Sequence, residues 1–155
     1  MRKKILVLSI ICFIFDRIVK VVVSNNLSLY VKKYMINNLL YLTYLKNDGA
    51  AWSILRGNTI LLIIISLIVV IYILKIIFKE KILGNYLSVS YSLLIGGIIG
   101  NLFDRIFYGY VIDFIGLKIF NYYFPVFNIA DIMIVIGVLL ITINEFRSGN
   151  SEDNS

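Results

Sequence analysis

The sequence predicts an all-α membrane protein with four transmembrane helices and a small extracytoplasmic β-like segment between helices 1 and 2. Hydrophobic residues make up 60% of its 155 residues and the mean hydropathy is +0.91, far above a soluble domain of this size. The hydrophobic residues form blocks of about 20, the length that crosses a bilayer. The polar residues instead gather in a few segments, so we expect a single integral membrane domain over residues 1–155.

The helices are expected at about residues 5–23, 59–78, 86–104 and 126–145, followed by a polar, disordered tail at 147–155. The opening MRKK and the apolar run after it resemble a secretory signal peptide. No small-x-small cleavage site follows, and the apolar run continues as DRIVKVVVS. We therefore interpret this segment as a retained first helix.

The segment 24–57 is rich in asparagine and tyrosine and has short alternating runs, which predict strands at a membrane surface. Asp48-Gly49 between apolar runs is typical of a hairpin turn. Residues 106–124 are expected to form an aromatic loop. The aromatic residues expected to form a belt at the membrane interface are Tyr30, Tyr34, Tyr41, Tyr44 and Trp52.

Helix 3 carries Ser92, Gly96, Gly100 and Asp104 at intervals of four, a small-residue stripe that lets another helix approach closely. In helix 1, Asp16 and Lys20 are also four residues apart and share one face. Ionisable groups at that depth usually face protein. A structural pair that fixes helix 1 in the bundle and a functional pair both remain open.

Orientation follows from the lysines and arginines of the short loops. Four helices place both termini on one side, and the dense tail and the tight connection between helices 2 and 3 favour the cytoplasm for that side. The basic residues of the terminal side are Arg2, Lys3, Lys4, Lys75, Lys79, Lys81 and Arg147. Those of the other side are Lys32, Lys33, Lys46, Arg56, Arg105 and Lys118.

The topology brings most polar residues to one level, near the outer surface of the bilayer. The ends of helices 1 and 3, the start of helix 4 and both outer loops all lie there. Such clustering beside apolar sequence predicts a functional site. Its candidate members are Asp16, Lys20, Asn101, Asp104, Arg105, Asp113, Asn128 and Asp131, together with the segment NDGAAW at 47–52.

Composition excludes several chemistries. The absence of histidine excludes HExxH-type metal hydrolysis and a Ser-His-Asp triad. Cys12 is the only cysteine, so no disulfide forms within the chain, and its place in an apolar helix favours core packing. The basic residues are scattered without a stacking platform, which argues against nucleic acid. We expect no metal and no cofactor.

Two aspartates held close together cannot both ionise easily, so one can act as a base while the other acts as an acid. Such a pair can activate water against a peptide carbonyl without metal, histidine or thiol. Bland alternatives exist for each carboxylate: Asp131 as a helix cap, Asp113 as a loop residue and Asp104-Arg105 as a local charge feature. A GxGD aspartyl site is excluded because the tetrapeptide is missing.

Four ordered blocks resemble lipoprotein signal peptidase (signal peptidase II), the bacterial membrane aspartyl peptidase family, over nearly the whole chain. FDRIVK resembles the D-x-x-x-K of its first helix and NDGAAW its N-x-G-A segment. GNLFDR with VIDF resembles the third block, and FPVFNIAD the fourth. The residues that the resemblance adds to the candidates are Asn47, Gly49, Ala50, Phe127 and Ala130. Two departures are Trp52, where the family often has phenylalanine, and the charged Arg17, which lies off the Asp16–Lys20 face.

The resemblance implies a catalytic dyad of Asp113 and Asp131, with the remaining candidates supporting the dyad or the substrate. It implies cleavage just before the lipid-modified cysteine of a diacylglyceryl prolipoprotein at the outer face of the cytoplasmic membrane. It further implies contact with membrane lipids, inhibition by globomycin-type peptides and an outer sheet that cradles substrate. No oligomer is predicted.

Two other classes of function are weighed against this one. A transporter or channel component would carry ions on midplane carboxylates and show internal repeats, whereas this sequence has outer clustering and no repeat. A structural or assembly subunit would use the same charges only to hold helices together. In that case asparagine substitutions would harm stability and not turnover.

Overall fold

The computed structural model describes residues 2–37, 39–79 and 84–152. Within these ranges it describes every side chain except those of Ser53 and residues 148–152. Four long helices and a four-stranded antiparallel sheet make up the fold. The helices are α1 (Arg2–Asn26), α2 (Thr59–Lys79), α3 (Asn85–Tyr108) and α4 (Ile129–Glu152). The strands are β1 (Lys33–Ile36), β2 (Leu40–Asn47), β3 (Val111–Ile119) and β4 (Tyr122–Tyr123), and a 3₁₀ turn covers Ala51–Ser53.

Three of the helices in the described part of the chain are long and apolar enough to cross a membrane: α2, α3 and α4 as far as Arg147. The 25-residue α1 is also long enough, but Asp16, Arg17 and Lys20 interrupt its apolar sequence. The molecule is therefore a mostly helical membrane protein with a small sheet. The α4 helix continues into the segment expected to be a disordered tail, and residues 153–155 lie outside the described residues.

The α3 helix is the centre of the bundle and packs against the other three helices. Its small residues permit this. A Cβ on Gly97 would lie 2.5 Å from the carbonyl oxygen of Ala130 in α4, and one on Gly96 would lie 2.5 Å from Cβ of Cys12 in α1. The backbones thus meet at distances that larger residues would prevent. The small-residue stripe predicted in helix 3 has this packing role.

The sheet has the order β1-β2-β3-β4, with every neighbouring pair antiparallel. The segment between α1 and α2 contributes β1 and β2, as predicted for a β-like segment there. The expectation of a loop over 106–124 is wrong, because this segment holds the end of α3, β3 and β4. Most of β3 is buried on both faces, so its sequence VIDFIGLKI lacks the polar alternation that marks a half-exposed strand.

The predicted aromatic belt is wrong for Tyr41, which is 2% exposed. Tyr41 pairs with Gly116 of β3, and a Cβ on that glycine would lie 2.1 Å from the tyrosine ring. The glycine therefore provides the space into which the ring packs. Tyr30, Tyr34 and Trp52 are exposed, in keeping with a belt, and Tyr44 is half-buried.

The start of α1 lies next to the end of α2, at the end of the bundle opposite the sheet. Arg2 donates hydrogen bonds from Nε to the carbonyl of Ile77 (3.3 Å) and from Nη2 to that of Phe78 (2.8 Å). Its guanidinium also lies 5.5 Å from the centroid of the Phe78 ring. A cation at a helix C-terminus satisfies free carbonyls and complements the helix dipole, so Arg2 caps α2.

Candidate active site

The start of α4 is a reciprocal cap made by Asn128 and Asp131. Asn128 Oδ1 accepts from the backbone N–H of Asp131 (2.9 Å), and Asp131 Oδ2 accepts from the backbone N–H of Asn128 (3.1 Å). A third free N–H of this first turn, that of Ala130, donates to Asp16 Oδ1 of α1 (3.1 Å). The cap interpretation of Asp131 is therefore correct for Oδ2, while its second oxygen, Oδ1, accepts from the side chain of Asn101.

Asp113 lies on β3, opposite Leu45 of β2, and is only 2% exposed. Each of its oxygens accepts one hydrogen bond from an asparagine amide. Asn128 Nδ2 donates to Oδ1 (2.7 Å), and Asn47 Nδ2 donates to Oδ2 (2.8 Å). The strand thus carries this carboxylate from a distant part of the chain to the start of α4.

The two aspartates are linked through the amides of Asn101 and Asn128. Asn101 Nδ2 donates to Asp131 Oδ1 (2.7 Å), and Asn128 Nδ2 donates to Asn101 Oδ1 (3.0 Å) as well as to Asp113. Asparagine is suited to this place because one amide offers both donor and acceptor. The two asparagine amides therefore orient the pair of carboxylates.

The environment of Asp113 favours its protonated form. Burial is the largest effect and the charge of Asp131 the second, and together they raise the pKa of Asp113 to about 7, although the bonds from Asn47 and Asn128 lower it. Desolvation and a nearby like charge both disfavour an ionised carboxylate. Asp113 therefore holds a proton up to about neutral pH, as the acid partner of an acid–base pair requires.

A layer of buried charges lies beside these groups. Lys20 Nζ lies 2.8 Å from Asp16 Oδ2 and 2.9 Å from Asp104 Oδ2, and all three side chains are fully buried. Lys20 also donates to Asn101 Oδ1 (2.9 Å). Asp104 Oδ2 in turn accepts from the backbone N–H of Ile112 (3.2 Å), the residue before Asp113. The Asp16–Lys20 pair predicted in helix 1 therefore helps to hold the groups next to Asp113 and Asp131.

The NDGAAW segment follows β2 and borders the same site. Asn47 Oδ1 accepts from the N–H of Gly49 (3.0 Å), while Arg105 Nη2 of α3 donates to the carbonyl of Gly49 (3.0 Å). The arginine thereby attaches this segment to the end of α3. The hairpin interpretation of Asp48-Gly49 is wrong, because the chain continues there into the 3₁₀ turn and α2 and not into a paired strand.

A cavity of about 500 Å³ opens beside the carboxylates, and its wall is mainly apolar. Its polar end is formed by Asn47, Asn101, Arg105, Asp113 and Asp131, and Ala50 lies among them. The remaining wall comes from the 3₁₀ turn, β3, the segment before α4 and the first turns of α4. These residues are Ala51, Trp52, Val111, Leu117, Phe124, Pro125, Val126, Phe127, Ile132, Ile134, Val135 and Ile136.

The structure brings every candidate from the sequence to one end of the bundle, in two layers. The candidates that do not line the cavity are buried beside it: Asp16, Lys20, Gly49, Asp104, Asn128 and Ala130. Sequence reasoning missed the apolar wall and the partner of Arg17. The guanidinium of Arg17 forms an ion pair with Asp104 and donates to the hydroxyl of Tyr108. Asp104 and Tyr108 are four residues apart on α3, and this spacing could have indicated a binding place for the arginine.

The fold and this cavity define a helical membrane protein with one polar site at the sheet-bearing end of its bundle. The profile of the family described as signal peptidase (SPase) II matches residues 8–147. The chain therefore belongs to the signal peptidase II family, which is a family of membrane peptidases.

Curated relatives agree along most of their length. The lipoprotein signal peptidase of Clostridium novyi is 39% identical over 137 residues, which cover 88% of this chain and 93% of that protein. The lipoprotein signal peptidase of Caldicellulosiruptor bescii is 45% identical over 118 residues, covering 76% of this chain and 75% of the relative. That of Staphylococcus haemolyticus is 35% identical and covers 96% of this chain and 94% of the relative.

Solved structures show the same architecture. A bacterial membrane enzyme determined by the in meso method at 2.3 Å resolution is similar with a TM-score of 0.87 and 34% identity, covering 95% of this chain and 90% of that one. A second such enzyme, at 1.9 Å resolution, has a TM-score of 0.80 and 36% identity, with 90% of each chain covered.

Proposed function

We propose that this protein is an aspartic endopeptidase that removes signal peptides from diacylglyceryl-modified prolipoproteins. The observation that carries the proposal is the pair Asp113 and Asp131, which line one cavity and are linked by asparagine amides. The relatives named lipoprotein signal peptidase support the substrate class. Membership of a peptidase family favours hydrolysis over the transporter and assembly-subunit alternatives.

In the proposed reaction, a water molecule between the carboxylates attacks the peptide carbonyl just before the lipid-modified cysteine. Ionised Asp131 takes one proton from the water as its oxygen bonds to the carbonyl carbon, and protonated Asp113 donates its proton to the carbonyl oxygen. The tetrahedral intermediate then collapses and the carbon–nitrogen bond breaks. The proton taken by Asp131 passes to the leaving amine, and Asp113 recovers its proton from the hydroxyl group of the intermediate.

The apolar wall of the cavity fits a substrate that arrives from lipid. Ile132, Val135 and Ile136 line the cavity and are also exposed on α4, so an acyl chain in the bilayer can reach the wall along that helix. Burying acyl chains contributes about 0.8 kcal/mol per CH₂. A globomycin-type cyclic peptide, with apolar side chains and a backbone that resembles a substrate, is expected to compete for the same space.

The proposal places four spans in the bacterial cytoplasmic membrane, with α1 as the fourth and both termini in the cytoplasm. The charged residues of α1 support its inclusion, because Asp16 and Lys20 face protein and are fully buried. The sheet and the cavity then lie at the outer surface, where a diacylglyceryl group holds its cysteine at the level of the headgroups.

The test is cleavage of a diacylglyceryl prolipoprotein by purified protein in detergent. We expect Asp113→Asn and Asp131→Asn each to reduce turnover by at least about 10³-fold, because a proton acceptor or donor of the pair is lost. Asp48→Asn is the matched control. Asp48 is an outer aspartate that is paired with Arg56 and partly exposed, and its variant should keep near-normal turnover.

Circular dichroism and thermal unfolding establish that each variant is folded. If Asp113→Asn or Asp131→Asn keeps near-normal turnover, the dyad assignment is wrong. If the wild type never cleaves the lipidated substrate, the peptidase proposal fails. The pH profile is a further readout: because the pKa of Asp113 is raised to about 7, kcat/KM should fall as pH rises above about 7, where the pair loses its remaining proton.

A further inference from the structure

Arg17 is a charged residue that neither the proposed chemistry nor the family motifs use. It follows Asp16 on α1, and its side chain is only 13% exposed. Its Nη1 forms an ion pair with Asp104 Oδ1 of α3, and its Nη2 donates to the hydroxyl of Tyr108 (3.2 Å). The guanidinium carbon lies 4.7 Å from the centroid of the Phe103 ring and 5.4 Å from that of Tyr108.

This environment differs from that of a cation that extends to the lipid headgroups. An arginine that only snorkels would keep its charged head in water. Here two aromatic rings, a carboxylate and a hydroxyl of α3 surround the head. Arg17 therefore contributes to the contact between α1 and the outer end of α3.

The charges around Lys20 explain why a second cation is needed. Two fully buried carboxylates, Asp16 and Asp104, share the single ammonium group of Lys20. Those three groups alone carry a net charge of −1 in a region of low dielectric, which is costly. Arg17 adds the missing positive charge, so the four groups are together neutral.

Asp104 connects this balance to the candidate active site. Its Oδ1 binds Arg17, while its Oδ2 binds both Lys20 and the N–H of Ile112, directly before Asp113. Lys20 reaches further, to Asn101 Oδ1, and Asn101 binds Asp131. The orientation of one carboxylate therefore affects the position of β3 and the availability of Lys20.

We propose that Arg17 is a positioning residue for the candidate active site, and that it acts through Asp104. By neutralising one oxygen of Asp104, it leaves Lys20 shared between Asp16, Asp104 and Asn101, and it holds β3 at Ile112. Without this charge, Lys20 is drawn towards Asp104 and its bond to Asn101 weakens. Asp113 and Asp131 are then held less firmly in position, although neither contacts Arg17. This inference rests on the proposed function for its kinetic test.

The experiment compares Arg17→Gln, Arg17→Lys and Arg2→Gln in purified protein. Arg2 is the matched control, because it too is an arginine that binds a helix end and lies beside an aromatic ring, at the opposite end of the bundle. We expect Arg17→Gln to lower kcat by about tenfold or more with KM changed by less than about threefold, since a misplaced acid–base pair slows the chemical step. Arg17→Lys, which keeps the charge, should retain kcat within about threefold.

Hydrogen exchange supplies a readout that does not need turnover. The Ile112 N–H is protected by Asp104, so peptides covering residues 111–114 should exchange at least about tenfold faster in Arg17→Gln than in the wild type. Arg17→Lys and Arg2→Gln should leave this exchange unchanged. Thermal unfolding of all variants accounts for global loss of stability, because Arg2→Gln is expected to lower Tm without either effect.

The inference is overturned if Arg17→Gln leaves kcat within about twofold of the wild type, if Arg17→Lys is as impaired as Arg17→Gln, or if exchange at 111–114 does not change. A wild type that cleaves no lipidated substrate would instead defeat the proposed function. In that case the exchange data alone would decide the role of Arg17, so the two failures are distinguishable.

Discussion

At the scale of single residues, Asn128 has two separable tasks. Its Oδ1 caps α4 by accepting from the N–H of Asp131, while its Nδ2 donates to Asp113 and Asn101. The first task is a stability contribution that several small polar residues can make. The second requires a donor that reaches across to β3, which serine and alanine cannot provide.

Replacing Asn128 with serine or with alanine should therefore separate the two tasks. Asn128→Ser keeps a cap and should unfold within about 0.5 kcal/mol of the wild type, whereas Asn128→Ala should lose about 0.5–2 kcal/mol. Both variants should lose most turnover, because Asp113 loses the hydrogen bond that Asn128 donates to its Oδ1. Thermal unfolding and prolipoprotein cleavage on the same samples measure the two effects. Full turnover in Asn128→Ser would contradict the bridging role.

At the scale of elements, the crossing of α3 with α1 and α4 determines where the aspartates lie. Gly97 lets α3 meet the backbone of α4 at Ala130, one residue before Asp131. Gly100 leaves room for Asp16, because a Cβ there would lie 2.6 Å from Oδ2 of that carboxylate. Packing of small residues therefore sets the distance across which the polar network forms.

A methyl group at this crossing should weaken both packing and the candidate site. We expect Gly97→Ala to cost about 1–3 kcal/mol of stability, because the nearest atom is backbone and cannot rotate away. Turnover should also fall, since α4 carries Asp131. Gly84→Ala is the matched control: no atom lies within 4 Å of a Cβ there, so its Tm and turnover should stay near those of the wild type. Equal effects of the two substitutions would refute this role of the crossing.

At the scale of the whole molecule, basic residues stabilise the fold at both ends of the bundle. Near the sheet, Arg105 binds the carbonyl of Gly49 and Arg56 pairs with Asp48, so these cations serve the fold. At the other end, Arg2 caps α2, and Lys4 donates to Asn85 Oδ1 (3.2 Å) at the start of α3. The two ends carry nearly equal numbers of basic residues. The orientation in the membrane therefore stays a prediction, and it is tested separately.

Accessibility of single cysteines tests that orientation. In a Cys12→Ser background we expect Phe120→Cys, at the tip between β3 and β4 where the side chain is 92% exposed, to react with a membrane-impermeant maleimide added to spheroplasts. Lys79→Cys, at the exposed end of α2, should react only after the membrane is opened. The reverse pattern would place the termini outside and reject the proposed topology.

Properties that depend on local or additive physics could be predicted from the sequence alone. Apolar length is sufficient to predict α2, α3 and α4, because spanning a bilayer requires about 20 predominantly apolar residues, whereas three charged residues interrupt the apolar sequence of α1. The cap at Asp131 and the fourfold spacing of Asp16 and Lys20 are likewise local, whereas the reciprocal cap at Asn128 was not predicted. Once the helices alternate across the membrane, depth follows, and so the candidate residues were predictable as a cluster.

Features that depend on contacts between distant segments became visible only in the three-dimensional fold. The pairing of β2 with β3 joins residues about 70 positions apart. The buried β3 has no alternation of polar and apolar residues that would predict this pairing. The burial of Tyr41 depends on Gly116 across that pairing. The partner of Arg17 depends on how closely α1 packs against α3. In each case the physical reason is the same: the free energy of a buried contact depends on the group opposite it, which the packing of distant segments supplies.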